Sequence, residues 1–204
     1  MHVPDSDLTT FARIRNAALA GYAKDGVAAT SIRDTAKAAG VSPGLVQHHF
    51  ATKAALGQAV NDYVAATAVA AFADVPVASS AADASEELGR RVATLVHEHP
   101  DALLYVARAS IEGDPGALDL FDTFVSIAEQ QWQQLSRDGL LRADIDQQWT
   151  VLNTIIVNLG PLLFHAGLDR HLPQPFLSPE GLERWQTAAT KLFRHGVYRA
   201  ESTP

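Results

Sequence analysis

The residues best suited to chemistry in this chain are Gln47, His48 and His49, with Arg33 upstream and Lys53 just beyond. They do not form a catalytic or metal-binding set. Adjacent histidines on a helix point about 100° apart and share no ligand geometry. His97 and His99, two apart near a helix end, are expected in surface or satisfied core positions. What these side chains can do is hydrogen-bond to DNA. Gln47 can pair with an adenine edge or bond a phosphate, and Arg33 can make a bidentate contact with guanine. Lys53, His48 and His49 can each hold a phosphate, which fixes position without reading sequence. Leu45, if exposed, can press on a thymine methyl, while Pro43 and Gly44 are small enough for close backbone approach.

Such groups work only if a short helix presents them. Residues 30–53 read as two short helices meeting at the turn Gly40-Val41-Ser42, the punctuation of a helix-turn-helix. Thr30 or Ser31 can N-cap the first of these, whose buried stripe is Ile32, Thr35, Ala36 and Ala39. Both Thr30 and Ser31 also count among the candidate DNA contacts. Gly40 is expected to end that helix in the left-handed conformation. Ser42 can cap the next, with Pro43 at its first position, where a missing N–H costs nothing. Val46 and Phe50, four apart, then point into the core. An earlier helix carries Phe11, Ile14, Ala18 and Tyr22 at helical spacing and closes at Asp25-Gly26.

The rest of the chain is also helical in pattern. A longer helix opens at Thr52 or Lys53 and runs through Leu56, Val60, Tyr63 and Val64 towards Phe72. Residues 75–85 read as a linker or loose loop. Further helices are expected near 85–98, 100–112, 116–138, 146–166 and 179–198. With no alternating strand and no internal repeat, the fold expected is all-α with about nine helices.

Composition narrows the function classes. The chain has 204 residues, 47% of them hydrophobic, and no cysteine, which excludes disulfides, thiolate metal sites and a cysteine nucleophile. The net charge is −7, but residues 1–53 hold six basic and four acidic groups, against ten and nineteen in the remainder. That division suits a protein that meets phosphate only through its N-terminal part. No basic segment followed by an apolar run opens the chain, so no signal peptide is expected. The longest apolar stretch, 150–167, is interrupted by Asn153, Asn158, Pro161 and His165, so no membrane span is expected and a cytoplasmic location is. There is no Gly-x-Ser-x-Gly, no His-Glu-x-x-His and no phosphate-binding glycine loop. Neither an enzyme nor a cofactor is therefore expected.

The order Thr-Ser-Ile-Arg-Asp-Thr-Ala-Lys-Ala-Ala-Gly-Val-Ser-Pro-Gly, then His-His-Phe, then Thr-Lys and Leu56, resembles the DNA-binding domain of TetR-family repressors. The likeness covers about residues 10–60, and the preceding Tyr22-Ala-Lys-Asp-Gly26 also fits. Many members carry tyrosine where this chain has Gln47, so the operator does not follow from the resemblance. The resemblance implies a helix-turn-helix domain over 1–55 and a helical ligand-binding and dimerisation domain over 56–204. It further implies a ligand-released repressor acting as a homodimer on double-stranded operator DNA.

A short recognition helix covers only a few base pairs, so a dimer on a near-palindrome is also the physical expectation. The last two long helices are the expected interface, through Ile155, Leu159, Leu162 and Leu163 on one, and Trp185, Ala189, Leu192 and Phe193 on the other. For a largely apolar effector, the candidate contacts are Tyr105, Arg108, Phe124, Trp132, Asn153 and His165. Two partners are open to Arg108: Glu112 one turn on, or a ligand carboxylate.

Overall fold

Side-chain caps set where most helices begin. The computed structural model describes residues 9–73, 75, 78 and 80–198. In it, Thr9 accepts from the Ala12 N–H and opens α1 (Thr10–Asp25). Ser31 opens α2 (Ile32–Ala38) and Ser42 opens α3 (Pro43–His49). Then come α4 (Lys53–Phe72), α5 (Ala81–Glu98), α6 (Pro100–Ile111) and α7 (Pro115–Arg137). Asp146 caps α8 (Gln147–Leu168), and Ser178 caps α9 (Pro179–Gly196). Each cap satisfies an N–H that the first turn leaves without a partner. The described residues contain no strand, only an isolated antiparallel bridge between Leu141 and Tyr198.

The expected linker at 75–85 is shorter than the sequence suggests. Its residues 76, 77 and 79 lie outside the described set, and α5 already begins at Ala81. Ser80 Oγ accepts from the Asp83 N–H at 3.1 Å, and Ala81 and Ala84 are buried. The small residues that read as a loop are good helix formers once the serine caps them.

The chain divides into two compact units, Met1–Thr67 with Glu98–Asp122, and Ala68–His97 with Thr123–Pro204. In the first, Ile14, Ala18, Val46, Phe50, Leu56, Val60 and Val106 are buried. Helix α6 packs along α1. The Tyr22 and Tyr105 rings lie 5.8 Å apart, and the Tyr105 hydroxyl donates to Asn61 Oδ1 at 2.7 Å. Thus α4 runs unbroken through residue 55, and the unit holding α1–α3 also takes in α6.

In the second unit, Trp132 is central. It packs with Ala81, Ala84, Leu135, Val151 and Tyr198, and its indole N–H donates to Thr154 Oγ1 at 2.9 Å. Arg91 donates to the carbonyls of Ala71 and Ala73 at 2.9 and 2.8 Å, closing the C-terminal end of α4. It also bonds Glu87 at 2.6 Å, and the hydrogen bonds from Arg91 and Arg90 hold the Glu87 carboxyl below its ordinary pKa. Between α8 and α9, Asp169 accepts from the Phe176 N–H, and the buried Phe176 ring meets Trp185 edge-on at 5.7 Å.

Helix α8 corrects the membrane expectation in one respect: by length and composition it is long and apolar enough to cross a bilayer. The reason is that both of its sides are apolar. Val151, Ile155, Leu159 and Leu162 are buried in its own unit, whereas Trp149, Ile156 and Phe164 are exposed.

Gly181 is where the second unit tolerates least. A Cβ there would collide with the Pro175 carbonyl and lie 2.7 Å from that of Phe176. Backbone cannot yield as a flexible side chain does. Gly181→Ala should therefore destabilise the protein by about 1–3 kcal/mol. Gly57→Ala, with nothing within 4 Å of the added carbon, should stabilise α4 by about 0.5–1 kcal/mol. Thermal melts followed by circular dichroism check both; equal melting temperatures for the two variants would contradict this.

Candidate nucleic-acid interface

The start of α2 is held by a reciprocal pair. The Asp34 N–H donates to Ser31 Oγ at 3.1 Å, and the Ser31 N–H returns a bond to Asp34 Oδ2 at 3.2 Å. The Ser31 hydroxyl also donates to that oxygen at 2.5 Å, which lowers the Asp34 pKa. This capping box fixes the first turn and leaves Arg33 exposed beside it. Thr30, expected as a DNA contact, is instead buried. Its hydroxyl donates to the Gly26 carbonyl at 2.9 Å, and its methyl faces Gly21, where a Cβ would sit 2.8 Å away.

The turn is a Schellman motif. Gly40 has φ of 67°, its N–H reaches Lys37 O at 3.2 Å, and the Val41 N–H reaches Ala36 O at 2.9 Å. Ser42 Oγ then accepts from the Leu45 N–H at 3.2 Å. Val46 and Phe50 are buried, and Phe11 stacks on Phe50 at 4.6 Å between ring centroids. With that side fixed, Pro43, Gly44, Leu45, Gln47 and His48 are exposed, as are Ser31 and Ser42. His49 is half-buried, edge-on to Phe11 at 6.4 Å.

Lys53 has a second task. Its Nζ donates to the Ala28 carbonyl at 3.2 Å, tying the start of α4 to the loop after α1. An ammonium has three donors, so this bond leaves two for phosphate. Sequence reading missed Phe11 as the prop of α3, although its spacing to Ile14 and Ala18 placed it near the helix's inner face. It also missed Arg15, whose guanidinium lies 3.8 Å above the Tyr63 ring and which burial makes less basic.

The expected effector residues are divided between the two units. Tyr105 and Arg108 belong to the first unit. Arg108 donates to the Lys24 carbonyl and lies 3.9 Å from Glu112, the first of the two partners open to it. In the second unit, Phe124 is half-buried and Asn153 exposed. His165 Nδ1 lies 2.6 Å from Leu162 O, and Asn158 Nδ2 donates to Thr154 O at 2.5 Å. The polar interruptions of α8 are thus met in part by its own backbone. Of the six candidates, Trp132 alone lines the cavity of about 320 Å³ described between the end of α7 and the start of α8.

The expected interface residues also separate. Ile155, Leu159 and Leu162 are buried within their own unit, and Leu163 and Ala189 are half-buried. Phe193 faces Trp132 at 6.2 Å, and Trp185 faces Phe176. Leu192, by contrast, is 62% exposed, and so are Trp149 at 57%, Ile156 at 53% and Phe164 at 68%. At 3.6 residues per turn, Trp149, Asn153, Ile156, Gly160 and Phe164 fall within about 80° of one another. Helical spacing alone carries that stripe; sequence reading did not separate it from the buried side.

Residues 14–60 match the family model for bacterial regulatory proteins of the tetR family. The chain is 29% identical over 168 residues to the HTH-type transcriptional regulatory protein RaaS of Mycobacterium tuberculosis, covering 81% of this chain and 76% of that one. Its fold resembles that of the fatty acid degradation regulator FadR from Bacillus halodurans, with a TM-score of 0.73 and 12% identity over 93% of this chain and 97% of that one. A TetR transcriptional regulator from Chloroflexus aurantiacus gives 0.68 and 21%, over 94% and 97%. Residues 14–60 are thus similar, in sequence and in helix-turn-helix geometry, to the DNA-binding domain of bacterial regulatory proteins of the tetR family.

Proposed function

We propose that the protein is a cytoplasmic repressor that binds a near-palindromic operator as a homodimer and is released by a largely apolar small molecule. The observation that carries DNA reading is the exposed row from Pro43 to His48 on α3, fixed from behind by Val46 and Phe50. In this reading, residues 1–55 contact DNA and residues 56–204 take the effector and the partner copy. The first unit supports a role for α6 in the response. It lies along α1, so a shift of α6 that an effector favours changes how α1 carries the recognition helix. Such a shift is no larger than the effector's difference in affinity between the two states allows. The reading includes no membrane, cofactor or catalytic step.

Dimerisation is supported by the exposed stripe on α8 with Leu192 of α9. Apolar area of this kind on one helix side is costly in water and gains by meeting its own copy. Gly160 lies within the stripe, and nothing stands within 4 Å of the position a Cβ would take.

Fluorescence anisotropy with the intergenic DNA beside the gene, against scrambled duplex at two salt concentrations, tests DNA reading. Arg33→Ala and Gln47→Ala should each cut discrimination by about 5- to 100-fold, the scale of a lost base contact. Lys53→Ala should weaken both duplexes alike and flatten the salt dependence. No salt-dependent specific complex, or equal losses on both duplexes for all three variants, would overturn the assignment.

Ile156→Asp with Phe164→Asp should convert a dimer to monomer in light scattering, with helix content retained by circular dichroism. Thr187→Glu, on the exposed side of α9, serves as the charge control and should leave the mass unchanged. A monomeric parent protein, or an unchanged dimer mass in the double variant, would remove the stripe as the interface.

A further inference from the structure

We propose that the cavity between the end of α7 and the start of α8 binds a small apolar molecule carrying a protonated amine. Its volume of about 320 Å³ lies at the lower end of the range for small-molecule pockets, about 300–1,000 Å³. The floor is apolar: Trp132 and Val151 belong to the buried cluster, and Leu141 packs against it. The indole N–H is already committed to Thr154, and the Thr150 hydroxyl to the Asp146 carbonyl. Trp132 and Thr150 therefore offer surface rather than free donors.

The rim is the opposite. Glu129, Gln133, Gln147 and Gln148 are exposed, and among the described residues none makes a side-chain hydrogen bond or ion pair. The only formal charge among the lining residues is the Glu129 carboxylate. Arg142 follows the lining residue Leu141 in sequence, but it is neutralised by Asp144 through bonds of 2.9 and 2.7 Å. The N-terminus of α8 would otherwise favour an anion, but the Asp146 side chain already takes the Trp149 N–H at 2.9 Å. A carboxylate beside an aromatic surface favours a cation with an apolar tail, and the three side-chain amides can turn their oxygens towards it. The site is also braced. The Arg142 N–H donates to the Val197 carbonyl at 3.0 Å, pinning the α7–α8 loop to the segment after α9.

The inference deepens the effector reading, yet binding is measured without DNA. Isothermal titration of the full chain with 4-phenylbutylamine, 4-phenylbutan-1-ol and 4-phenylbutyrate compares one tail with three heads. The amine should bind saturably and most tightly, and the carboxylate most weakly. Glu129→Gln should weaken the amine about tenfold, the size of a lost charge-assisted hydrogen bond, and leave the alcohol unchanged. Gln148→Trp, at an exposed rim position, should block the amine and the alcohol while the far-ultraviolet spectrum is kept. No binding of the amine, equal binding of amine and carboxylate, or an unchanged amine affinity in Glu129→Gln would overturn the proposal. Anisotropy with saturating amine then reads the coupling separately. Release from DNA supports both readings, whereas amine binding with an unchanged DNA complex keeps the site and removes its effector role.

Discussion

The first unit depends on how the Tyr105 hydroxyl is satisfied. That phenol is buried, and burial raises its pKa, so it stays protonated and acts as a donor. Left without an acceptor it would cost about 1–3 kcal/mol. Asn61 on α4 supplies the oxygen, while Tyr22 on α1 supplies the ring against which Tyr105 rests. One side chain of α6 therefore ties together α4 and α1. A Cβ on Gly116 would collide with the Asn61 amide nitrogen, so the acceptor keeps its place beside a residue with no side chain. Further along, Arg108 takes the Lys24 carbonyl at the end of α1, and Glu112 closes over Gly26. Helix α6 thus fixes the C-terminal half of α1 at more than one level.

Fixing α1 fixes what it carries. Phe11 near its start packs on Phe50, which anchors the end of α3. Lys53 returns to Ala28 in the loop that follows α1. The short α3 cannot be stable alone, since a helix of two turns gains too little to offset nucleation. Its geometry comes from Ser42 at one end, Phe50 at the other, and Val46 between. The outer side chains are then free to differ without disturbing the frame. Gln47 is exposed and makes none of these contacts.

Legibility in the sequence followed the range of the interaction. The turn and caps of α2 and α3 were readable because Ser31, Gly40, Ser42 and Pro43 act within five residues of themselves. Thr30 misled because its hydroxyl looks equally fit for DNA or for a backbone carbonyl, and only the approach of Gly21 decides. The start of α5 was hidden because alanines score as loop or helix according to whether Ser80 caps them. Tyr105 and Asn61 are 44 residues apart, and Arg108 and Lys24 are 84 apart. No local pattern connects either pair, and so both Tyr105 and Arg108 read as stranded polar groups awaiting a ligand.

The second unit turns on the two apolar sides of α8. A helix with one apolar side can bury it in its own core, whereas one with two leaves the second on the surface of its unit. Val151, Ile155, Leu159 and Leu162 account for the first side, leaving Trp149, Ile156 and Phe164. The first turns of this helix also line the cavity, through Gln147, Gln148, Thr150 and Val151. Trp149 stands between Gln148 and Thr150 on the same rigid turn, yet belongs to the exposed stripe. Any displacement of that turn that reshapes the cavity must carry Trp149 with it, so the two surfaces cannot be set independently.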